Sequence, residues 1–394
     1  MNFQRIKPFL FILVIIAFNV QAQAQWPGKE WEVATPKSQG MNADSLKILD
    51  DLISSGRFGN VDAMVITRNG KLIYKKKYPR DYYKIYGDSI DKKSALNPHD
   101  QSGQYNYFNP WWHPYYRREA ELHSLQSVSK TITSVIIGVA INRKDFPDIS
   151  TPVLSFFDAN EVKNIDDRKK RLTIKHLLTM TAGFDWNESV PYSDPRNDCT
   201  LMEASFDWTK YVIDRPMEGE PGERFEYNSG ATQLLSYIFR KATGKDLEEY
   251  AAEYLFAPLG IQQYYWKRIP TGLPDAEGGL YLRADDLAKI FYLFLKDGNW
   301  NGKEIVSKEW VKASITPSIN VGSGVDYGYK WWLYKYGDNL KYAWAGSGFG
   351  GQFPIVIPEY NIVAVFNAWN ITRGPSMRVM ETIRRLVNAV EEKK

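Results

Sequence analysis

A single cysteine, Cys199, stands among 394 residues. One thiol can form no intramolecular disulfide and cannot build a structural zinc site. We expect Cys199 to be a partly buried small residue rather than a catalytic thiol. Histidine is almost as scarce: His99, His113, His123 and His176 are the whole set, and none shows the spacing of a zinc protease. A charge of one sign is also missing. Lys+Arg number 50 against 46 Asp+Glu, giving a formal charge of +4 without basic blocks, so no nucleic-acid partner is expected. No G-x-S-x-G elbow occurs, which argues against an α/β-hydrolase triad. No glycine loop opens a helix in the manner that cradles phosphate. No metal and no cofactor are therefore expected.

What is present begins with an export signal. Arg5 and Lys7 precede an unbroken apolar run from Phe9 to Phe18, and Ala22-Gln23-Ala24 supplies small residues at the cleavage spacing. The run is short for a bilayer span, and no cysteine follows it as a lipid attachment point, so no stable membrane anchor is expected. Residues 1–24 are read as a signal peptide, and the mature chain as a periplasmic protein. Removing them takes away two positive charges and no acids, so the formal charge falls from +4 to +2. The remaining chain is long enough for two lobes. Aromatic residues are plentiful and concentrate between Tyr105 and Tyr116. This stretch either lines an apolar cleft or packs its rings onto the body of the protein.

The patterning is mixed. Ala43 to Ser54 reads as an amphipathic helix, and Asn69-Gly70 as a type I′ turn inside a hairpin spanning Ala63 to Tyr78. Helical periods dominate from Ser127 to about Pro270: Thr173 to Met180, Thr232 to Thr243 and Leu247 to Phe256. Asp285 to Lys296 is a further helix. Short β-branched runs follow at Trp344, Phe353 to Ile357 and Ile362 to Phe366, and Ser376 to Glu391 closes the chain as a helix. The expected class is α/β (α+β): an antiparallel sheet flanked by terminal helices, with an all-helical lobe inserted. Residues 25–126 and 271–394 would form the α/β lobe and residues 127–270 the helical lobe, with the nucleophile at their interface.

Ser127-Val128-Ser129-Lys130 opens the longest apolar helical run. A serine and a lysine three apart lie one turn apart on one face, within reach of each other. A lysine there can shed its proton by desolvation and activate the hydroxyl. The same spacing recurs at Ser89-Ile90-Asp91-Lys92, but in a polar stretch without apolar periodicity. Around Ser127 the residues Val128, Ile132, Val135, Ile136 and Val139 would bury one helical face. Tyr227-Asn228-Ser229 sits at a loop-to-helix corner, where a phenol beside a lysine ammonium would have a lowered pKa and serve as base and then acid. Trp344-Ala345-Gly346-Ser347-Gly348 ends a strand in glycines, which lets backbone N–H groups approach an oxyanion. His123 is read as packing rather than catalysis, and Asp185 and Trp186 as neighbours of the cleft.

Taken in order, these segments resemble the serine β-lactamase and penicillin-binding-protein-like superfamily. The resemblance lies with the branch that includes class C β-lactamases, D-aminopeptidases and carboxylesterases. His176-Leu177-Leu178-Thr179-Met180-Thr181-Ala182-Gly183, Gly278-Gly279-Leu280 and the Ile66 to Leu72 hairpin are similar to further recurring segments of that group. The resemblance implies a β-lactamase/transpeptidase-like fold. It implies Ser127 as acyl-enzyme nucleophile, Lys130 and Tyr227 as its proton-handling partners, and the N–H groups of Ser127 and Ser347 as the oxyanion hole. Ser229, Trp344 and Gly346 would contact substrate.

Two positions depart from the group's usual pattern. The second box ends in Ser229 instead of Asn. The third begins with Trp344 instead of Lys or His, so the cation that holds a substrate carboxylate is missing, an ion pair of up to a few kcal/mol in a cleft. These departures argue against β-lactams and D-Ala termini. They look like the 6-aminohexanoate-dimer hydrolases and the family esterases. The expected protein is thus an exported serine hydrolase acting on a small ester or linear amide. The alternatives are a β-lactamase or D-Ala peptidase and, from another class, a non-catalytic peptidoglycan- or peptide-binding protein of the same fold.

Overall fold

The computed structural model describes residues 26–90, 96–109, 111–112, 115–116 and 120–391. The export segment lies outside the described residues, as do Asp91 and Lys92 of the second Ser-x-x-Lys and part of the aromatic stretch.

The class is mixed α/β, with a large antiparallel sheet and helices on its faces. Eight strands make the sheet. Val61–Arg68 pairs with Lys71–Lys77 on one side and Ile362–Ala368 on the other. Phe353–Ile357, Lys341–Ala345, Trp332–Tyr336, Val325–Tyr327 and Ile319–Gly322 follow in order. Both ends of the chain therefore build one sheet, with Val65 opposite Val365 and Ile66 opposite Ala364. The hairpin turn is set by Asn69 and Gly70, both left-handed at φ 54° and 79°, as a type I′ turn demands.

The Ile362–Ala368 strand is buried along its whole length because both sheet faces are covered. Ile362, Ala364 and Phe366 pack with Leu46, Leu49, Ile383 and Leu386 of the Ala43–Ser54 and Val379–Asn388 helices. Val363 and Val365 point the other way, into the core shared with Leu287, Ile290 and Phe291 of the Ala284–Leu295 helix. Each fully buried side chain of this size contributes about 1.5–3 kcal/mol.

The Val128–Asn142 helix runs through that second core, and every residue from Val128 to Ala140 is buried. Three of its polar side chains bond to neighbouring backbone. Ser129 Oγ accepts from Leu280 N at 3.1 Å, Thr133 Oγ1 donates to Ala276 O at 3.1 Å, and Thr131 Oγ1 donates to Lys330 O at 2.8 Å. A small second sheet anchors the approach to the helix: Leu122–Ser124 pairs with Leu280–Leu282, placing Ser124 opposite Tyr281. Residues 277–280 are thereby held beside the helix start.

Three differences from the expected pattern matter. The Ser229–Thr243 helix starts earlier than Thr232, because the Asn228 side chain accepts from Ala231 N and caps it. The Leu247 to Phe256 segment changes from α-helix to a π-turn at Ala252. The three strands from Ile319 to Tyr336 were not expected at all.

Candidate active site

Ser127 is the N-cap of the Val128–Asn142 helix, at its positive end, and is only partly buried. Lys130 stands one turn further on, 1% exposed. Its Nζ lies 2.9 Å from Ser127 Oγ, 2.7 Å from Glu277 O and 2.8 Å from Glu277 Oε2. Tyr227 completes the group: its ring centroid is 5.3 Å from Lys130 Nζ, and Ser127 is among the groups that act on its phenol. Trp332 stacks on Tyr227 with centroids 6.0 Å apart, which fixes the phenol's plane. The structure thus brings Ser127, Lys130 and Tyr227 together from two helix starts about a hundred residues apart.

The Gly346 to Gly348 turn closes on the same point. A Cβ on Gly346 would come within 3.0 Å of Val128 Cγ1, and one on Gly348 within 2.5 Å of Leu125 O, so glycine at 348 lets this turn lie close to the start of the Ser127 helix. Ser347 lies between them. Among the described residues, no hydrogen bond engages the backbone N–H of Ser127 or of Ser347. Trp344 is half-buried on the sheet face that packs toward the helical layer.

Two of the expected electrostatic effects are reversed. Burial alone would strip Lys130 of its proton, but the carboxylate of Glu277, with smaller contributions from Tyr227 and Glu188, holds its pKa well above the ordinary amine value. The Tyr227 phenol is raised rather than lowered: burial outweighs the nearby Lys130 charge, and Glu188 adds to the rise. The Lys130 reversal arises from Glu277, an acid that the sequence reading did not place in the site, and the Tyr227 reversal chiefly from burial.

Glu188 is the first of these. Ser229 N donates to its Oε2 at 2.8 Å and Ser229 Oγ to its Oε1 at 2.7 Å. Trp186 Nε1 and Tyr192 OH add donors at 2.9 and 3.2 Å. The Ser229 hydroxyl is accordingly turned toward Glu188, and Trp186 reaches the site through the same carboxylate. Asp185, by contrast, is exposed and faces Arg215. Lys330 is buried at φ +65° with its Nζ 3.2 Å from Met180 Sδ; burial and the charge of Lys130 push its pKa well down.

Glu277 leads to the second group. A cavity of about 20 Å³ beside Ser127 is lined by Tyr107, Tyr192, Phe349, Cys199, Glu203 and Glu277, among others. That is room for about one water. Tyr107, from the aromatic stretch, forms part of its wall, while Tyr105 is buried with its hydroxyl on Asp275 at 3.1 Å. Cys199 is 2% exposed, and burial raises its thiol pKa well above the ordinary value. The Cys199, Glu203 and Glu277 donor atoms fall within 4.8 Å of one another, but the Lys130 ammonium already sits on Glu277 as the matching cation. A surface groove of about 1150 Å³ lies elsewhere, between Trp26 and Trp300.

His123 is placed away from this chemistry. Its Nε2 lies 3.0 Å from Asp62 Oδ2 and its Nδ1 2.9 Å from Ser124 O, and the ring is buried. Glu277, Glu203, Glu188 and Lys330 were the residues missed by sequence reasoning. One signal was available for two of them: Glu277 directly precedes Gly278-Gly279, and Lys330 is a lone charge in Tyr327-Gly328-Tyr329-Lys330-Trp331-Trp332.

Comparison with known proteins identifies the family and the fold. The family model described as Beta-lactamase matches residues 59–389. The 6-aminohexanoate-dimer hydrolase of Paenarthrobacter ureafaciens is 27% identical over 204 residues, covering 49% of this chain and 50% of that protein. The chain thus spans about half the length of that curated relative. Among solved structures, the octameric penicillin-binding protein homologue from Pyrococcus abyssi superposes with a TM-score of 0.60 at 20% identity, covering 89% of this chain and 78% of the other. A family VIII carboxylesterase superposes with a TM-score of 0.61 at 14% identity, covering 91% and 98%. At these identities the structural matches speak for the fold alone.

Proposed function

The chain belongs to the Beta-lactamase family, and from that premise we propose that it is a serine hydrolase that cleaves a small ester or a linear amide through an acyl-enzyme. The family match and the similarity to 6-aminohexanoate-dimer hydrolase support a hydrolase. The observation that carries it is the 2.9 Å contact between Lys130 Nζ and Ser127 Oγ, under Tyr227 and against the glycine turn at Ser347. Ser127 Oγ attacks the carbonyl carbon. The N–H groups of Ser127 and Ser347 receive the oxyanion. Tyr227 delivers a proton to the departing alcohol or amine, and water later releases the acyl group.

Substrate choice is argued from charge. Trp344 offers no cation for a substrate carboxylate, and the Ser229 hydroxyl is committed to Glu188. Both features favour a neutral acyl group over a β-lactam. Export to the periplasm is part of the same proposal, supported by Arg5, Lys7 and the apolar run that follows. Among the described residues, no helix is long and apolar enough to cross a membrane.

A panel of p-nitrophenyl esters, linear amides and a cephalosporin, run with wild type and Ser127→Ala, tests this. Ester or amide turnover that vanishes in Ser127→Ala is expected. Cephalosporin hydrolysis matching ester hydrolysis would overturn the substrate class, and binding without turnover in wild type would favour a non-catalytic binding protein.

A further inference from the structure

Lys130 carries three hydrogen-bonding contacts, and an ammonium has three hydrogens. Two of the contacts go to Glu277, through its carbonyl and its carboxylate. The third goes to Ser127 Oγ. The same heavy-atom geometry serves a neutral amine equally well: two N–H groups remain on Glu277, and the lone pair accepts the Ser127 hydroxyl proton. Glu277 Oε2, 2.8 Å away, is placed to receive the ammonium proton, after which the amine turns about its Cε–Nζ bond to aim its lone pair at Ser127.

The surroundings of Glu277 fit that role. On the Asp198–Ala204 helix, Glu203 faces Glu277, with carboxyl and Cys199 thiol atoms within 4.8 Å of one another. Burial and the Glu277 charge push the Glu203 carboxyl well above its ordinary value; burial also opposes charge on Glu277, but Lys130 and Glu203 hold it below its own, as an acceptor. Glu203 Oε2 is buried and takes no hydrogen bond from any donor among the described residues. Cys199 Sγ lies 3.7 Å from Glu203 Oε1 and 3.9 Å from Glu277 Oε1. Asp275 and Lys267 stand behind the pair, Glu188 lies across the site, and the phenols of Tyr107, Tyr192 and Tyr227 face it. Burial and the Glu277 charge raise Asp275 to about 7, while burial lowers Lys267. No other carboxylate is within hydrogen-bonding distance of Lys130 Nζ among the described residues.

Resting on the serine-hydrolase reading above, we propose that Glu277, backed by Glu203, is the positioning residue that takes a proton from Lys130 and so converts it from an ammonium into the amine that activates Ser127. In acylation the Lys130 proton passes to Glu277, and the Ser127 proton passes to Lys130. The bond from Ser127 Oγ to the acyl carbon forms as the bond to the leaving group breaks. The leaving group departs with a proton from Tyr227. Lys130 reprotonates Tyr227, and Glu277 returns its proton to Lys130. The net result is one proton moved from Ser127 to the leaving group.

The pH profile of kcat/KM tests this on the full chain with a p-nitrophenyl ester. In wild type the acid limb reports protonation of a carboxyl, and activity persists down to the carboxylate range. Glu277→Gln keeps the shape of the side chain but accepts no proton, so its acid limb becomes that of an amine. We expect a loss of roughly 10²-fold at pH 7, with the limb displaced upward by at least about one pH unit and partial recovery at high pH. A Glu277→Gln profile parallel to wild type, lower by one factor at every pH, would overturn the proposal, because it would leave Glu277 a purely structural role. Should Glu277→Gln fail to fold, Glu277→Asp decides: it retains a carboxylate and must keep the acid-range limb, and a limb moved upward in that variant contradicts the proposal. Wild type that neither turns over esters nor labels at Ser127 would instead sink the serine-hydrolase reading.

Discussion

Asp62 and Glu277 are both buried carboxylates, 0% and 5% exposed, and each meets a nitrogen partner closely: His123 Nε2 at 3.0 Å and Lys130 Nζ at 2.8 Å. Their surroundings differ. Asp62 is saturated: Tyr82 OH lies 2.8 Å from both of its oxygens, and the second His123 nitrogen is taken by Ser124 O. Glu277 sits against a cavity, a second carboxyl and the Ser127 hydroxyl, all reached within one or two hydrogen bonds. In a low-dielectric interior a fully satisfied polar network fixes shape, while one with an unmatched member leaves room for a proton to move. The contrast separates a pair that holds the approach to the Ser127 helix from a pair that works on Ser127 itself.

The largest effect should come from the working side. Ser127→Ala is expected to lower ester turnover by at least ~10⁴-fold while leaving the thermal melt near wild type, measured by steady-state assay and circular dichroism. Tyr227→Phe removes the proton donor but keeps the ring stacked on Trp332, so a loss of about 10²–10⁴-fold in kcat is expected for amides. A smaller loss is expected for p-nitrophenyl esters, whose leaving group needs no proton. Equal losses on both substrates would remove Tyr227 from the protonation step.

The scaffold side should answer in stability. Asp62→Ala leaves His123 and Tyr82 buried without their acceptor and should cost about 3–5 kcal/mol in denaturant unfolding, with kcat/KM of the folded fraction close to wild type. A variant of normal stability and impaired kcat/KM would erase the distinction between the two pairs. Asp285 offers a milder test. Burial opposes its charge, but Arg283 and Lys75 overcome this and hold its pKa down at about 2. Because the folded value lies below the unfolded one of about 3.9, its contribution of about 2 kcal/mol is present above pH 4 and fades as pH falls through 2. Asp285→Asn should remove that acid-range slope from the stability curve. The smallest effect is expected from Trp344→Lys, which restores a cation and should raise kcat/KM for carboxylate-bearing substrates by up to about tenfold.

Local signals explain which parts of this molecule were legible in the chain. The Ala43–Ser54 helix and the Phe353–Ile357 strand were found at their true ends, since each is a regular pattern between clear breakers. Ser127 and Lys130 were found because helical spacing puts them together and the apolar period around them marks a buried helix. The strands from Ile319 to Tyr336 escaped because each is short and glycines separate them, and their pairing partners, not their own pattern, make them strands. Glu277 and Glu188 escaped for a related reason. They meet Lys130 and Ser229 from loops far away in the chain, and no periodicity marks a loop carboxylate that tertiary contacts will bury.

Rapid quenching of a p-nitrophenyl ester reaction, followed by intact mass and peptide mapping, reaches the acyl-enzyme directly. The account predicts a single acyl adduct located on Ser127, formed at the rate of the nitrophenol burst and missing from Ser127→Ala. Sustained turnover with Ser127 unmodified at every quench time, or an adduct on another residue such as Lys130 or Tyr227, would contradict it.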